Sequence, residues 1–112
     1  MCMDPETREL LEDIEKYANE IKEFVSGHTL ESYAEDSKTR MAVERCFEII
    51  GEALNRIKKV DPQVLDSIRD HRSIISFRNI LAHAYDHIED KIVWGIIQSD
   101  IDNLIEDISS LN

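Results

Sequence analysis

Glycine and proline are scarce in this chain, and this constrains the fold more than any other feature of the sequence. The 112 residues include three glycines, Gly27, Gly51 and Gly95, and two prolines, Pro5 and Pro62. A fold rich in β-strands needs many tight turns, and those turns draw on both residue types. The scarcity therefore predicts long helices joined by few loops.

Apolar residues recur at intervals of three and four along most of the chain, which is the spacing of one face of a helix. The first helix is predicted from Pro5 to about Val25, with Asp4 as its N-cap and Gly27 at its end. A short helical turn is predicted from Leu30 to Ala34. A second long helix should then run from Lys38 to Val60.

The second long helix carries a wider apolar stripe than a helix with one buried face requires. Its N-cap is expected to be Asp36 or Ser37. Gly51 lies inside it, where glycine costs about 1 kcal/mol relative to alanine. A close crossing with another helix would explain this glycine. The wide stripe indicates a helix at the centre of the bundle or one that also forms a dimer.

Further helical stretches are predicted in the second half of the chain. Asp61-Pro62 opens the first, with Asp61 as its cap, and a polar break follows at Arg69 to Arg72. Helix resumes near Ser73 and continues to about His83, and the last helix should span Ile88 to Ser109. Together these segments predict an all-α fold: an up-and-down helical bundle of four main helices plus short helices, in a single domain that covers residues 1–112.

The sequence also predicts a cytoplasmic protein with no membrane contact. Cys2 and Cys46 are the two cysteines, and their positions favour free thiols in a reducing compartment. The N-terminus has no apolar signal region. No apolar run approaches the ~20 residues that a membrane-spanning helix needs.

The formal net charge of −11 is unfavourable for binding nucleic acid, because phosphate contacts draw on surplus lysine and arginine. Basic residues nevertheless gather in one part of the sequence, namely Arg56, Lys58, Lys59, Arg69, Arg72 and Arg78. They predict a focused positive cleft on an acidic body. The acidic remainder would suit a basic protein partner.

An arginine, a histidine and a tyrosine interrupt the apolar stretch from Phe77 to Tyr85. Taken by themselves, Arg78 could pair with an acidic side chain, His83 could cap a helix C-terminus, and Tyr85 could simply pack.

Two further polar residues are candidates to support them. Glu52 is a candidate partner for Arg78 across the bundle, and the alternative is a solvated glutamate on a helix face. Asn79 could orient His83 or contact phosphate, and the alternative is a surface amide.

The spacing Arg78-x4-His83-x-Tyr85 resembles the Arg-x4-His-x-Tyr signature of HEPN domains. The stretch from Ala42 to Ala53 resembles the second main helix of the small HepT-like HEPN toxins that are paired with minimal nucleotidyltransferases. Ile92-Val93-Trp94 resembles the start of their last helix. With matching order and helix lengths, the resemblance covers most of the chain and is specific to this family.

The resemblance implies a homodimeric HEPN domain whose two signature segments meet in a shared cleft. It implies a metal-independent endoribonuclease without a cofactor, in which Arg78 and His83 are catalytic and RNA is the substrate. The system would be a type VII-like HEPN/MNT toxin–antitoxin pair. Its nucleotidyltransferase antitoxin would neutralise the toxin by AMPylation of Tyr85.

The side chains suit this chemistry. An imidazole titrates near about 6.5 and can transfer protons, while a guanidinium stays charged and holds phosphate bidentately. Positions five apart on an α-helix differ by about 140° in direction. Either the helix ends near His83, or Arg78 reaches around it, or the site draws on two chains.

Other interpretations remain open at this point. The chain could be a non-catalytic helical binding subunit of a nucleotidyltransferase, or a plain helical dimer with a structural role. A metal site built from His83, Asp86, His87 and Asp90 is not expected, because neither cysteine nor a regular histidine spacing accompanies these residues.

Overall fold

The computed structural model describes residues 3–83 and 89–111, apart from the side chain of His83. All regular structure in these ranges is helical, as predicted. Four long helices and two short ones follow one another: α1 (Pro5–Val25), α2 (Leu30–Glu35), α3 (Ser37–Val60), a 3₁₀ helix (Pro62–Ser67), α4 (His71–His83) and α5 (Asp90–Leu111).

Helix α1 has the boundaries that its capping residues predict. The Asp4 carboxylate accepts a hydrogen bond from the Glu6 backbone N–H at 2.8 Å, and Pro5 occupies the first helical position. After the last turn, Gly27 adopts a positive φ of 80°, which few other residues tolerate. The hydrogen bond confirms Asp4 as the N-cap of α1, and the backbone conformation of Gly27 confirms that the helix ends there.

Helix α3 is the central element of the bundle. The Asp36 carboxylate caps it by accepting hydrogen bonds from the Thr39 backbone N–H at 3.1 Å and from the Thr39 hydroxyl at 2.8 Å. Helix α3 packs against α1, α2, α4 and the 3₁₀ helix. It therefore buries residues on more than one side, as its wide apolar stripe predicts: Val43, Cys46, Phe47, Ile50, Gly51, Ala53, Leu54 and Ile57.

The segment between α3 and α4 differs from the prediction in two respects. The helical stretch that follows Asp61 has 3₁₀ geometry, and the Asp61 side chain makes no capping hydrogen bond. Helix α4 begins at His71 rather than near Ser73. It begins earlier because the Asp70 backbone carbonyl already accepts the first helical hydrogen bond, from the Ile74 N–H at 3.1 Å.

The last helix, α5, begins at Asp90 and extends to Leu111, two residues beyond the predicted end. Ile88, where it was predicted to begin, lies outside the described residues. In the part of the chain that the structure describes, no helix is long and apolar enough to span a membrane.

Candidate active site

Helix α4 carries Arg78, and its buried face fixes how it rotates against α3. Ile74 and Phe77 are both buried. The ring of Phe77 meets that of Phe47 in α3 edge to face, with 5.1 Å between centroids and an angle of 82° between planes. This is a favoured geometry for two aromatic rings. With Ile74 and Phe77 in the core, Arg78 lies along the contact with α3.

Polar contacts fasten the N-terminal end of α4 to α5. The Ser73 hydroxyl donates to the buried carboxylate of Asp100 at 2.9 Å. Just before α4, Arg69 donates to Asp107 through its backbone N–H at 2.9 Å and through its guanidinium at 3.0 Å. Burial alone would raise the pKa of Asp107, but the hydrogen bonds from Arg69 hold it below its usual value. These contacts fix the end of α4 that lies farthest from His83.

The guanidinium of Arg78 is held from two sides. One terminal nitrogen forms an ion pair with the Glu52 carboxylate of α3, and the other donates to the Asn79 side-chain oxygen at 3.2 Å. Gly51 lies beneath the base of this side chain, as the expected close helix crossing requires. Arg78 keeps 27% of its side chain exposed, so a ligand can still reach it.

A cavity of about 410 Å³ opens beside Arg78, between α1, α3 and α4. Its charged lining is balanced, with three cations and three carboxylates: Arg45, Arg56, Arg78, Asp13, Glu48 and Glu52. Arg78 is therefore not surrounded by surplus positive charge within this cavity.

A second cavity, of about 520 Å³, lies on a different face of α4. We call it the α4 groove and define it by its charged and polar lining: Lys58, Asp66, His71, Arg72, Ser76 and Asn79. Asn79 contacts Arg78 and also lines this groove, so it connects the two surfaces.

His71 is half-buried at the end of the α4 groove. Its Nδ1 is buried and finds no hydrogen-bond partner among the described residues. Burial lowers the pKa of His71, and the charges of Arg72 and Lys58 lower it further, while Asp66 opposes them. No motif or spacing in the sequence singles out His71. The signal that would have found the groove is the spacing of three and four among α4 positions 72, 75, 76 and 79.

The six basic residues that were expected to cluster do not form one positive cleft. Lys58 and Arg72 share the α4 groove. Three others form ion pairs with carboxylates far away in the sequence: Arg56 with Glu6, Arg69 with Asp107, and Arg78 with Glu52. The prediction of a single positive cleft was wrong because it counted cations along the sequence and missed their long-range acidic partners.

His83 is the last residue of α4, and only its backbone is described. Helix α4 is continuous from Arg78 to His83, so the two positions differ by about 140° around its axis. One chain alone does not place these two positions on the same face of α4. Tyr85 lies outside the described residues, as do Asp86 and His87.

No group of three or more potential metal ligands occurs among the residues that the structure describes. Of the four residues considered as a metal site, Asp90 is described, and its carboxylate lies 3.6 Å from the Arg40 guanidinium. An arginine in that place disfavours a metal cation, because like charges repel.

Comparison with known proteins adds independent evidence. The family model described as "Ribonuclease HepT-like" matches residues 14–111. A protein of Thermococcus cleftensis named "Probable ribonuclease HepT" is 33% identical over 101 residues, which cover 87% of each chain. A protein of Methanocaldococcus jannaschii whose name contains the term RNase is 29% identical over 110 residues, covering 95% of this chain and 87% of its own.

A second RNase-named protein of the same organism is 27% identical over 103 residues, with 92% of this chain and 94% of its own covered. No solved structure gives a significant match. The family match covers α1 from Ile14 to its end at Val25, and every later helix. This chain therefore belongs to the ribonuclease HepT-like family.

Proposed function

We propose that this chain is a metal-independent endoribonuclease that acts as the toxin of a HEPN-type toxin–antitoxin pair in the cytoplasm. The observation that carries the proposal is the Arg78-x4-His83-x-Tyr85 signature in a member of the ribonuclease HepT-like family, with Arg78 held by Glu52 and still accessible. The family match supports RNA as the substrate.

The reaction needs no group beyond the chain's own side chains. The 2′-hydroxyl oxygen attacks the neighbouring phosphorus, and the bond from phosphorus to the 5′-oxygen breaks. The 2′-hydroxyl loses its proton to a base, and the departing 5′-oxygen takes a proton from an acid. The products are a 2′,3′-cyclic phosphate and a 5′-hydroxyl. His83 supplies proton transfer, which typically contributes about 10²–10⁴-fold in rate.

Arg78 stabilises the charge that develops on the phosphate. A guanidinium carries five N–H donors in a fixed plane. The contacts with Glu52 and Asn79 use two of its nitrogens and orient that plane, while other donors remain for the phosphate. A donor that is already oriented needs little reorganisation when the transition state forms.

A homodimer gives the site its second histidine. One His83 cannot easily serve as base and acid in the same step, whereas two chains bring two imidazoles to a shared cleft. The separation of about 140° between Arg78 and His83 on one helix supports a site that draws on both chains. A mixed dimer with one His83→Ala chain should lose activity by about 10²-fold or more. Full activity in that dimer would contradict the division of labour.

Tyr85 is the proposed target of the antitoxin. An adenylate on Tyr85 would occupy the cleft and add negative charge against incoming RNA. Tyr85→Phe should therefore remain toxic in the presence of an active nucleotidyltransferase partner, while the wild type is silenced and gains the mass of AMP. Silencing of Tyr85→Phe with the same gain in mass would show that another residue accepts AMP.

The experiment that tests the toxin function is induced expression without the partner. The wild type should arrest growth and fragment cellular RNA, while Arg78→Ala and His83→Ala should do neither. Arg8→Ala is the matched control, because Arg8 is exposed on α1 and lines neither cavity. Folded protein without arrest in any variant would favour a non-catalytic helical binding subunit of a nucleotidyltransferase.

A further inference from the structure

The α4 groove is a cavity lined by two cations, Lys58 and Arg72, and by one carboxylate, Asp66. Lys58 comes from the C-terminal end of α3, and Arg72 from the first turn of α4. Neither forms an ion pair with another residue of the described ranges, although six other lysines and arginines do: Lys22, Arg40, Arg45, Arg56, Arg69 and Arg78. In a chain with net charge −11, such a pair of cations facing one cavity favours an anionic ligand.

Helix stability does not explain why Arg72 is where it is. The N-terminal end of a helix carries partial positive charge, so a cation in the first turn is unfavourable and a carboxylate is preferred. Helix α4 has no acidic residue in its first turn, which begins His71-Arg72. An anion bound in the α4 groove would reverse this unfavourable charge arrangement.

The composition of the groove suits a phosphodiester rather than a compact dianion. Lys58 and Arg72 provide positive charge, Ser76 and Asn79 provide neutral hydrogen-bonding groups, and Ile75 provides apolar surface. Asp66 adds one carboxylate, which leaves a modest excess of positive charge. Singly charged phosphates joined by sugars match this mixture of charge, hydrogen bonding and apolar contact.

The groove runs along α4 in the direction of the Arg78-x4-His83-x-Tyr85 signature. Positions 72, 75, 76 and 79 share one face of α4, and position 83 is the next in that register, four residues after Asn79. Asn79 also contacts the guanidinium of Arg78. Asn79 therefore links the groove to the guanidinium that would hold the scissile phosphate.

We propose that the α4 groove binds the backbone of single-stranded RNA next to the cleaved phosphate, with Lys58 and Arg72 as its phosphate ligands. This inference rests on the proposed ribonuclease function and assigns the path of its substrate.

The test compares wild type, Lys58→Gln, Arg72→Gln and the double variant for binding of a labelled single-stranded RNA, by fluorescence anisotropy at several salt concentrations. Lys59→Gln is the matched control, because it removes the same charge from the next residue, which does not line the groove. Each groove variant should bind more weakly, and its salt slope should fall by about 0.7 for one lost phosphate contact. Thermal melts followed by circular dichroism confirm folding.

Single-turnover cleavage then separates binding from chemistry. The double variant should need about 10-fold more protein for half-maximal rate, and its maximal rate should stay within about 2-fold of the wild type. If the wild type binds and cleaves RNA and the double variant matches Lys59→Gln in both assays, the groove proposal fails and the ribonuclease function stands. If the wild type neither binds nor cleaves RNA, the groove proposal and the proposed ribonuclease function both fail.

Discussion

Gly51 of α3 lies directly against the base of the Arg78 side chain of α4. A Cβ atom at position 51 would come within 2.5 Å of the Arg78 Cγ, far inside van der Waals contact. The absence of a side chain at position 51 thus allows α3 and α4 to approach. That approach brings Arg78 to its partner Glu52, the next residue of α3.

Gly51→Ala should destabilise the protein and displace Arg78. Alanine improves helix propensity by about 1 kcal/mol, but overpacking costs about 1–3 kcal/mol, and the overlap involves atoms next to the α4 backbone that cannot swing away. We expect the free energy of unfolding, measured with urea, to fall by about 1 kcal/mol and RNA cleavage to fall with it.

Gly95→Ala is the matched control for that substitution. A Cβ atom at position 95 of α5 would meet no atom within 4 Å. Helix propensity then acts alone and should raise the free energy of unfolding by about 1 kcal/mol. If both variants are stabilised, Gly51 is not a contact point and the account of Arg78 positioning is wrong.

Glu52 should act as a positioning residue for Arg78. Its side chain is 64% exposed, so losing the ion pair should change stability by less than about 1 kcal/mol. Misplacing Arg78 should cost more, and we expect Glu52→Ala to lower the maximal cleavage rate by about 10-fold or more. Glu52→Gln retains an acceptor oxygen and should recover most of the rate. Equal rates for all three proteins would remove Glu52 from the site.

Asp100 should matter for stability because it joins α4 to α5. Its buried carboxylate accepts hydrogen bonds from Ser73 at 2.9 Å and from Ser99 at 2.7 Å. Asp100→Ala should lower the free energy of unfolding by about 1–3 kcal/mol. Asp102 lies on the same helix as Asp100 and forms an exposed ion pair with Lys22 of α1. Asp102→Ala, which breaks that pair, should cost less than about 1 kcal/mol. Similar losses would show that burial of Asp100 does not matter.

His71 should make stability fall below neutral pH. Its pKa is lowered in the folded protein by burial first and then by Arg72 and Lys58, so the unfolded chain binds the proton more tightly. As the pH falls through the unfolded value of about 6.5, the free energy of unfolding decreases until the folded form is also protonated. Urea titrations between pH 8 and pH 5 should show a larger loss for the wild type than for His71→Gln. Parallel curves would contradict this assignment.

Local signals in the sequence were sufficient to predict where some of the helices begin and end. Asp4, Pro5 and Gly27 define α1 because capping and backbone preferences act within a few residues. Gly51 indicated a helix crossing because glycine destabilises the interior of a long helix. Its presence there is explained when a neighbouring helix needs the space that a side chain would occupy.

Contacts between distant residues were harder to predict. The ion pair of Arg69 with Asp107 joins residues 38 positions apart, and the spacing of apolar residues along the sequence does not predict such a contact. For that reason the basic residues looked like one cluster, while the structure divides them between two cavities and several carboxylates. The Glu52 contact with Arg78 was one of two open alternatives, because the sequence does not give the rotation of α4 against α3.

Cleavage of a synthetic single-stranded RNA by purified protein in excess EDTA tests the central claim most directly. We predict that the wild type produces fragments with 2′,3′-cyclic phosphate and 5′-hydroxyl ends, and that Arg78→Ala and His83→Ala are slower by about 10²-fold or more. Cleavage that requires an added divalent metal, or equal rates in all three proteins, would contradict the account.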